Sequence, residues 1–143
     1  MGKKRIITKS ESEIRTVPRD IRRKAAKKQV INGVAHISVS YNNTLITISD
    51  SQGDVIAWSS AGRLGFKGTK KATPYAANLV VRDCVERARP FNLTNIKIIV
   101  RGVGPARESS IRGLVATGLN VTFIMDATPV AHNGVRAKKP RRV

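Results

Sequence analysis

Apolar and polar residues alternate from residue 34 onward, and a period of two is typical of a half-buried β-strand. The apolar side of this predicted strand holds Ala35, Ile37, Val39 and Tyr41, and the polar side holds His36, Ser38 and Ser40. Asn42 and Asn43 follow, and asparagine readily adopts the backbone angles of a tight hairpin turn. Similar runs over residues 44 to 50 and 55 to 60 predict the second and third strands of an antiparallel meander.

Helical spacing replaces this alternation after residue 72. Thr73 followed by Pro74 predicts a helix N-cap with proline at the first helical position, and Pro90 predicts the end of that helix. The apolar face of the helix consists of Ala77, Val80, Val81, Cys84, Val85 and Ala88. A second helix is predicted over residues 107 to 117, before Gly118. The apolar side of this second helix is expected to hold Ile111, Leu114 and Val115.

Two further apolar runs, over residues 96 to 100 and 121 to 125, predict the fourth and fifth strands. The order strand, strand, strand, helix, strand, helix, strand combines an antiparallel meander with two crossovers, which favour parallel pairing. We therefore expect an α/β protein with a mixed five-stranded sheet, flanked by helices on the sheet faces. Trp58 is expected to be a packing residue of the third strand, and Cys84 to lie in the core rather than act as a nucleophile.

The charge of the chain limits the class of its binding partner more than any other feature of the composition. The chain has 27 Lys and Arg and 9 Asp and Glu, which give a formal net charge of +18. Residues 1 to 30 hold 11 basic and 3 acidic side chains, and residues 131 to 143 hold 5 and none. Both segments are short of apolar residues and are expected to be ordered only on a partner. We therefore predict a basic N-terminal extension (1–30), an α/β RNA-binding domain (31–130) and a basic C-terminal tail (131–143).

Composition also excludes several classes of protein. No apolar run approaches the roughly 18 residues of a membrane-spanning helix, so nucleic acid is a better polyanionic partner than a lipid surface. The single cysteine excludes an internal disulfide and a site of several thiolates. A secretory signal is not evident, and Glu11, Glu13 and Asp20 disfavour a mitochondrial transit peptide.

A loop over residues 63 to 71, the clamp loop, combines glycine with four cations. The cations are Arg63, Lys67, Lys70 and Lys71. Glycine allows a backbone to approach phosphates closely, and the cations suit the same groups, so the loop is expected to clamp RNA. A nucleotide-binding P-loop needs Gly-Lys followed by Ser or Thr, whereas the order here is Lys67, Gly68, Thr69, which disfavours ATP binding.

The segment from Gly102 to Arg107 joins a predicted strand to a predicted helix and contains Gly104. It differs from the dinucleotide fingerprint because Arg107 stands where the third glycine would allow close helix packing. A glycine-containing turn before a helix N-terminus still suits a phosphate, and Arg107 adds a cation. An RNA backbone phosphate is the expected ligand.

A metal-dependent nuclease of ribonuclease H-like architecture is the enzyme alternative, because that fold has a similar order of elements. Its first strand would need an acid, which this sequence lacks. The available carboxylates, scattered over turns, a helix and a strand end, are Asp50, Asp54, Asp83, Glu86 and Asp126. His36 and His132 lie far apart without a nearby cysteine, which disfavours a metal site. We expect no enzyme activity, metal or cofactor.

Four motifs occur in the order of one known family: GVAHI at 33 to 37, YNNT at 41 to 44, GVGPARES at 102 to 109 and DATPVAHNG at 126 to 134. From about residue 27 to residue 143 the chain resembles the universal small-subunit ribosomal protein numbered eleven, in its bacterial or organellar type. The resemblance implies a ribonuclease H-like mixed sheet without the catalytic acids. It also implies a structural role on the platform of the small subunit, near the messenger exit path.

The charge pattern and the resemblance together predict the RNA-binding residues. They are Arg22, Arg23, Lys24, Lys27, Lys28, Asn42, Asn43, Arg63, Lys67, Lys70, Lys71, Gly102, Gly104, Arg107, His132, Asn133, Gly134, Arg136, Lys138, Lys139, Arg141 and Arg142. The implied partners are small-subunit ribosomal RNA and neighbouring platform proteins, with messenger RNA left open and with no membrane or small-molecule substrate. Residence on cytoplasmic ribosomes is expected, with organellar ribosomes left open.

A free-standing RNA-binding or RNA-processing factor is the alternative function. Aromatic residues make up only 4% of the chain, too few for a protein that reads single strands mainly by stacking bases, which disfavours this alternative.

The resemblance assigns no role to residues 1 to 20.

Overall fold

The computed structural model of the protein describes residues 29 to 139, and within them five strands form a single sheet. The strands are β1 (Asn32–Ser40), β2 (Asn43–Asp50), β3 (Val55–Ser60), β4 (Asn95–Gly102) and β5 (Asn120–Asp126). Two α-helices accompany them, α1 (Pro74–Ala88) and α2 (Ala106–Ala116). Short 3₁₀ turns lie at Gly68–Ala72 and Arg89–Phe91. Every strand and helix that the sequence predicts is present.

The sheet has the strand order β3-β2-β1-β4-β5 and is mixed. The first three strands form an antiparallel meander, in which Ile37 of β1 pairs with Ile46 of β2. On its other side β1 pairs with β4 in parallel, and β4 pairs with β5 in parallel. The ribonuclease H-like mixed sheet is thus confirmed for the described part of the chain.

Both helices pack on the same face of this sheet. The crossover from β3 through α1 to β4 and the crossover from β4 through α2 to β5 step in the same direction across the sheet. Because such crossovers are right-handed, two steps in one direction place both helices on one side. Buried residues of both helices accordingly join the inward residues of β1, β2 and β4 in one core, in which Ile37, Ile98 and Leu114 are almost fully buried.

The first helix begins and ends as the sequence predicts. The side chain of Thr73 caps it by accepting a hydrogen bond from the backbone N–H of Ala76 at 3.3 Å, and Pro74 is its first residue. Pro90 follows the last turn, and Asn92 then adopts a left-handed conformation with a φ of 56°. Cys84 lies fully buried against the sheet, and burial raises the pKa of its thiol to about 12. Its predicted place in the core is confirmed.

The second helix is rotated relative to the prediction, because Val115 is 54% exposed. Its fully buried stripe instead runs through Ala106, Ser110 and Leu114. Gly113 explains the rotation: a side chain there would lie 3.1 Å from the Asn78 amide oxygen and 3.3 Å from Val81 of α1. The missing side chain lets the two helices approach closely, and this contact fixes which side of α2 faces inward.

The opposite face of the sheet, called the open face below, carries no helix in the described part of the chain. Its outward-pointing side chains include Val34, His36, Ser38, Leu45, Thr47, Ser49, Trp58, Lys97, Ile99, Arg101, Phe123 and Met125. Trp58 is therefore not a core residue: it pairs with Thr47 on the open face and is 48% exposed. Tyr41 is likewise exposed, because it lies in the hairpin turn rather than in β1.

Candidate nucleic-acid interface

The clamp loop is held in a defined conformation by its own backbone. Ala61 is fully buried and donates its N–H to the Thr44 carbonyl at 3.1 Å, while Phe66 donates to the Ala61 carbonyl at 3.1 Å. The Phe66 ring also makes an edge-to-face contact with the ring of Tyr75 at the start of α1, with centroids 6.2 Å apart. These contacts join the loop to the core, so its cations are presented from a supported backbone.

The cations of the clamp loop face solvent. Arg63, Lys67 and Lys70 are exposed and Lys71 is half-buried. Among the described residues none of the four forms an ion pair. Exposed cations close together in the chain that form no ion pairs repel each other and suit a polyanion.

Arg63 connects the clamp loop to the open face. Its guanidinium lies over the Trp58 ring, 5.1 Å from the ring centroid, which is a cation–π arrangement. Its backbone N–H donates to the Ser60 carbonyl at 3.1 Å, so the turn after β3 fixes its position. A guanidinium stacked on an aromatic ring keeps its edge free for a phosphate.

The turn between β4 and α2 needs its glycines for contact with β1. Gly102 has a φ of 94°, and a Cβ added there would lie 1.9 Å from the carbonyl oxygen of Val39. A Cβ on Gly104 would lie 2.7 Å from the Val39 side chain. Close packing against β1 therefore explains why glycine is needed at both positions. The predicted contact of these glycines with a phosphate stays a prediction. The helix that follows has no side-chain cap at its N-terminus.

Arg107 is engaged within the protein. One of its guanidinium nitrogens donates to the Gly102 carbonyl at 2.7 Å, and another pairs with the Asp126 carboxylate at the end of β5. The side chain is about 29% exposed. The structure thus gives Arg107 a structural role in closing the turn, beside the phosphate contact predicted for it.

Asp126 also organises the start of the C-terminal segment. Its carboxylate accepts hydrogen bonds from the Thr128 hydroxyl at 2.6 Å and the Thr128 backbone N–H at 3.0 Å. The Thr128 hydroxyl in turn accepts from the Gly102 N–H at 3.1 Å. The Thr128 hydroxyl and then Arg107 hold the pKa of Asp126 down at about 2. The sequence pattern did not predict this network, although Asp followed two residues later by Thr is a common local turn signal.

Residues 127 to 139 follow β5 without helix or strand. The predicted binding residues His132, Asn133, Gly134, Arg136, Lys138 and Lys139 all lie in this segment and are exposed. At the other hairpin, Asn42 is exposed in the turn and Asn43 begins β2 half-buried. Seven further predicted residues lie outside the described part of the chain: Arg22, Arg23, Lys24, Lys27, Lys28, Arg141 and Arg142.

The carboxylates discussed for catalysis hold local structure instead. Asp50 accepts backbone hydrogen bonds from Gln52 at 2.8 Å and Asp54 at 3.0 Å, which closes the turn before β3. Asp83 accepts from the Ser59 hydroxyl at 2.6 Å and from Arg87 at 2.9 Å, and these contacts, Arg87 first, lower its pKa. Within residues 29 to 139, no three His, Cys, Asp or Glu side chains form a group that could hold a metal.

These features define a small, basic α/β protein whose exposed cations suit a polyanionic partner. A sequence model of the family described as ribosomal protein S11 matches residues 33–142, which is most of the chain. The chain therefore belongs to the ribosomal protein S11 family, and the resemblance seen in its motifs is confirmed. It is a structural protein of the small ribosomal subunit. Among the described helices, none is long and apolar enough to cross a membrane.

Proposed function

We propose that the protein binds small-subunit ribosomal RNA at the platform of the subunit, near the messenger exit path, and that it has no catalytic role. The phosphate contacts come from the clamp loop, the turn at residues 102 to 107 and the two basic ends. The observation that carries the proposal is the clamp loop, whose cations stand on a hydrogen-bonded backbone without ion-pair partners in the described structure. Neighbouring ribosomal proteins are further partners.

The division of the chain supports this proposal. A domain with a buried core presents the clamp loop at a fixed position, while the exposed residues 131 to 139 contribute cations with no acidic residue among them. Fixed cations position a folded RNA, and an extended basic segment follows its backbone. A structural role needs no converging carboxylates, and Asp50, Asp83 and Asp126 are already engaged in turns and ion pairs.

The proposal is tested by the salt dependence of RNA binding. Replacement of Arg136, Lys138, Lys139, Arg141 and Arg142 by Gln keeps the length of the tail and removes its charge. The slope of log affinity for small-subunit RNA against log salt should become shallower by roughly 0.7 to 0.9 per lost contact. Filter binding at several salt concentrations measures this slope.

Arg87→Gln is the control for loss of a single cation outside the proposed contacts, since Arg87 is paired with Asp83 at 2.9 Å. The control should leave the slope nearly unchanged. An unchanged slope in the tail variant would remove the tail from the binding site. Failure of the wild-type protein to sediment with small subunits in a magnesium-containing gradient would contradict the proposal as a whole.

A further inference from the structure

The open face is a second cationic surface, and the contacts proposed above use none of its strand residues. Its outward-pointing strand residues include the exposed cations Lys97 and Arg101, with Arg63 at its margin. No Asp or Glu is among these outward residues, because Asp50 and Asp126 pair with the inward-facing Gly33 and Val100. The open face therefore attracts an anion along β4 and at the margin beside Trp58, and the charge of +18 on the chain adds to this attraction.

Two cavities lie along this face, and each is lined by one of the two cations. A cavity of about 440 Å³ near the strand starts is lined by Lys97, Val34 and Thr122 together with Asn32 and Asn95. A cavity of about 310 Å³ near the middle of the sheet is lined by Arg101 together with His36, Ser38, Leu45, Thr47 and Ile99. Both cavities combine hydrogen-bonding groups with apolar side chains, as a nucleobase site does.

The spacing of the cations suits a chain of phosphates rather than a single one. Lys97 and Arg101 are four residues apart on β4, which places them about 13 Å apart along the strand. Side chains that stand perpendicular to the sheet at this spacing meet different phosphates. An extended strand of nucleotides that runs along β4 would place different phosphates near the two cations and leave bases above the cavities.

Polar groups beside the first cavity are already oriented by one another. The side-chain amide of Asn95 donates to the Asn32 side-chain oxygen at 2.9 Å, and that of Asn120 donates to the Asn95 side-chain oxygen at 3.0 Å. This row crosses β1, β4 and β5 and limits the rotation of each amide. Fixed amides select hydrogen-bonding partners at a low entropic cost, because little side-chain freedom remains to be lost.

Aromatic rings lie on the two outer strands of the open face. Trp58 on β3 and Phe123 on β5 are 48% and 53% exposed. Large exposed rings next to cations are the groups on which unpaired bases stack. A base-paired helix would not offer its ring faces to them, so the occupant that these groups favour is an unpaired strand.

We propose that the open face binds an unpaired stretch of RNA, with bases in the two cavities and phosphates near Lys97 and Arg101. This inference rests on the proposed function, because it takes ribosomal RNA as the partner and adds a second contact surface. A neighbouring protein is the competing occupant. It would need acidic groups facing Lys97 and Arg101 and would not need aromatic stacking.

Trp58 provides the test, because it is the only tryptophan of the chain and lies on the open face. The full chain is titrated with an in vitro transcript of small-subunit RNA, and binding is followed by filter retention and by quenching of tryptophan fluorescence. We expect the tryptophan fluorescence to be quenched in parallel with RNA retention on the filter. In the complex, Trp58 should then be protected from quenching by acrylamide. Retention with Trp58 still open to acrylamide would overturn the inference, but not the proposed function. No retention at all would overturn both.

Substitutions on the open face distinguish an RNA occupant from a protein occupant. The double variant Lys97→Ala with Arg101→Ala should reduce the salt slope of RNA binding by roughly 1.4. The control, Arg82→Ala with Arg89→Ala, removes the same charge from exposed positions on the helix side and should leave that slope unchanged. Phe123→Leu keeps an apolar side chain but removes the ring, and should weaken RNA binding by about tenfold. Full binding by Phe123→Leu and by the Lys97 and Arg101 variant would contradict the proposal. Melting temperatures near that of the wild type show that these variants fold.

Discussion

The two faces of the sheet are built from the same five strands and differ in nearly every property. Along β4, Ile96, Ile98 and Val100 are buried beneath the helices, while the intervening Lys97 and Arg101 are exposed on the open face. The covered face forms the core, and the open face carries cations, rings and cavities. Because side chains alternate along a strand, adjacent residues can serve stability and partner binding separately.

This separation depends on the position of the helices. Two right-handed crossovers in one direction leave one face without a helix among residues 29 to 139, and that face can hold polar and charged residues without a desolvation cost. Substitutions on the covered face should therefore change the free energy of unfolding. Substitutions on the open face, or on the exposed clamp loop, should change RNA binding instead.

The largest effect is expected from the neighbouring pair Ile98 and Ile99, which have the same chemistry on opposite faces. Ile98 is fully buried, and Ile98→Ala should lower the free energy of unfolding by about 2 to 5 kcal/mol, because it leaves a cavity in the core. Ile99→Ala on the open face should cost about 1 kcal/mol or less. Urea denaturation of the full chain measures both values. Equal losses would show that the open face is also part of the stabilising core.

A second effect concerns RNA binding without loss of stability. Lys67→Ala, Lys70→Ala and Lys71→Ala together should reduce the salt slope of RNA binding by roughly 2 to 3, since three phosphate contacts are lost. The melting temperature should stay almost unchanged, because surface lysines, here two exposed and one half-buried, contribute little to folding. A parallel loss of binding and of melting temperature would identify the clamp loop as a structural element. Arg82→Ala serves as a single-charge control from the helix side.

The smallest effect is expected at Asp126, at the end of β5. Its pKa is about 2, below the ordinary value of 3.8, so its contribution to stability is present above about pH 3.8 and is lost as the pH falls through 2. Asp126→Asn should therefore flatten the decline in melting temperature between pH 4 and pH 2. Thr128→Val should flatten it in part, because it removes the largest cause of the shift. Identical pH profiles for all three proteins would show that the network contributes no stability.

The clamp loop could be predicted from sequence because its cations and glycines lie within a few residues of one another. The structure adds the contacts that support the loop, since the hydrogen bond from Ala61 to Thr44 joins the residue after β3 to β2. Arg107 shows the opposite case. Its charge suggested a phosphate ligand, but Asp126 lies 19 residues further along the chain and becomes its partner only through the parallel pairing of β4 and β5.

The open face could not be predicted from the sequence, for a related reason. Lys97 and Arg101 are separated by apolar residues in a strand that reads as buried, and Trp58 reads as a core residue because it is large and apolar. Their shared surface exists only after β3, β2, β1 and β4 are aligned in register. Val115 lies on the exposed side of α2, contrary to the prediction, because the close approach at Gly113 depends on α1.

The sequence by itself determined the number and order of strands and helices, the cap at Thr73 and the burial of Cys84. These features depend on interactions within a few residues, or on the apolar character of a single helix face, and both are visible as a period in the chain. Only the tertiary structure decided that both helices share one face, that Arg107 is paired and that Trp58 lies with Lys97 and Arg101 on an open surface. These outcomes depend on the handedness of crossovers and on strand register, which bring together residues that are far apart in the sequence.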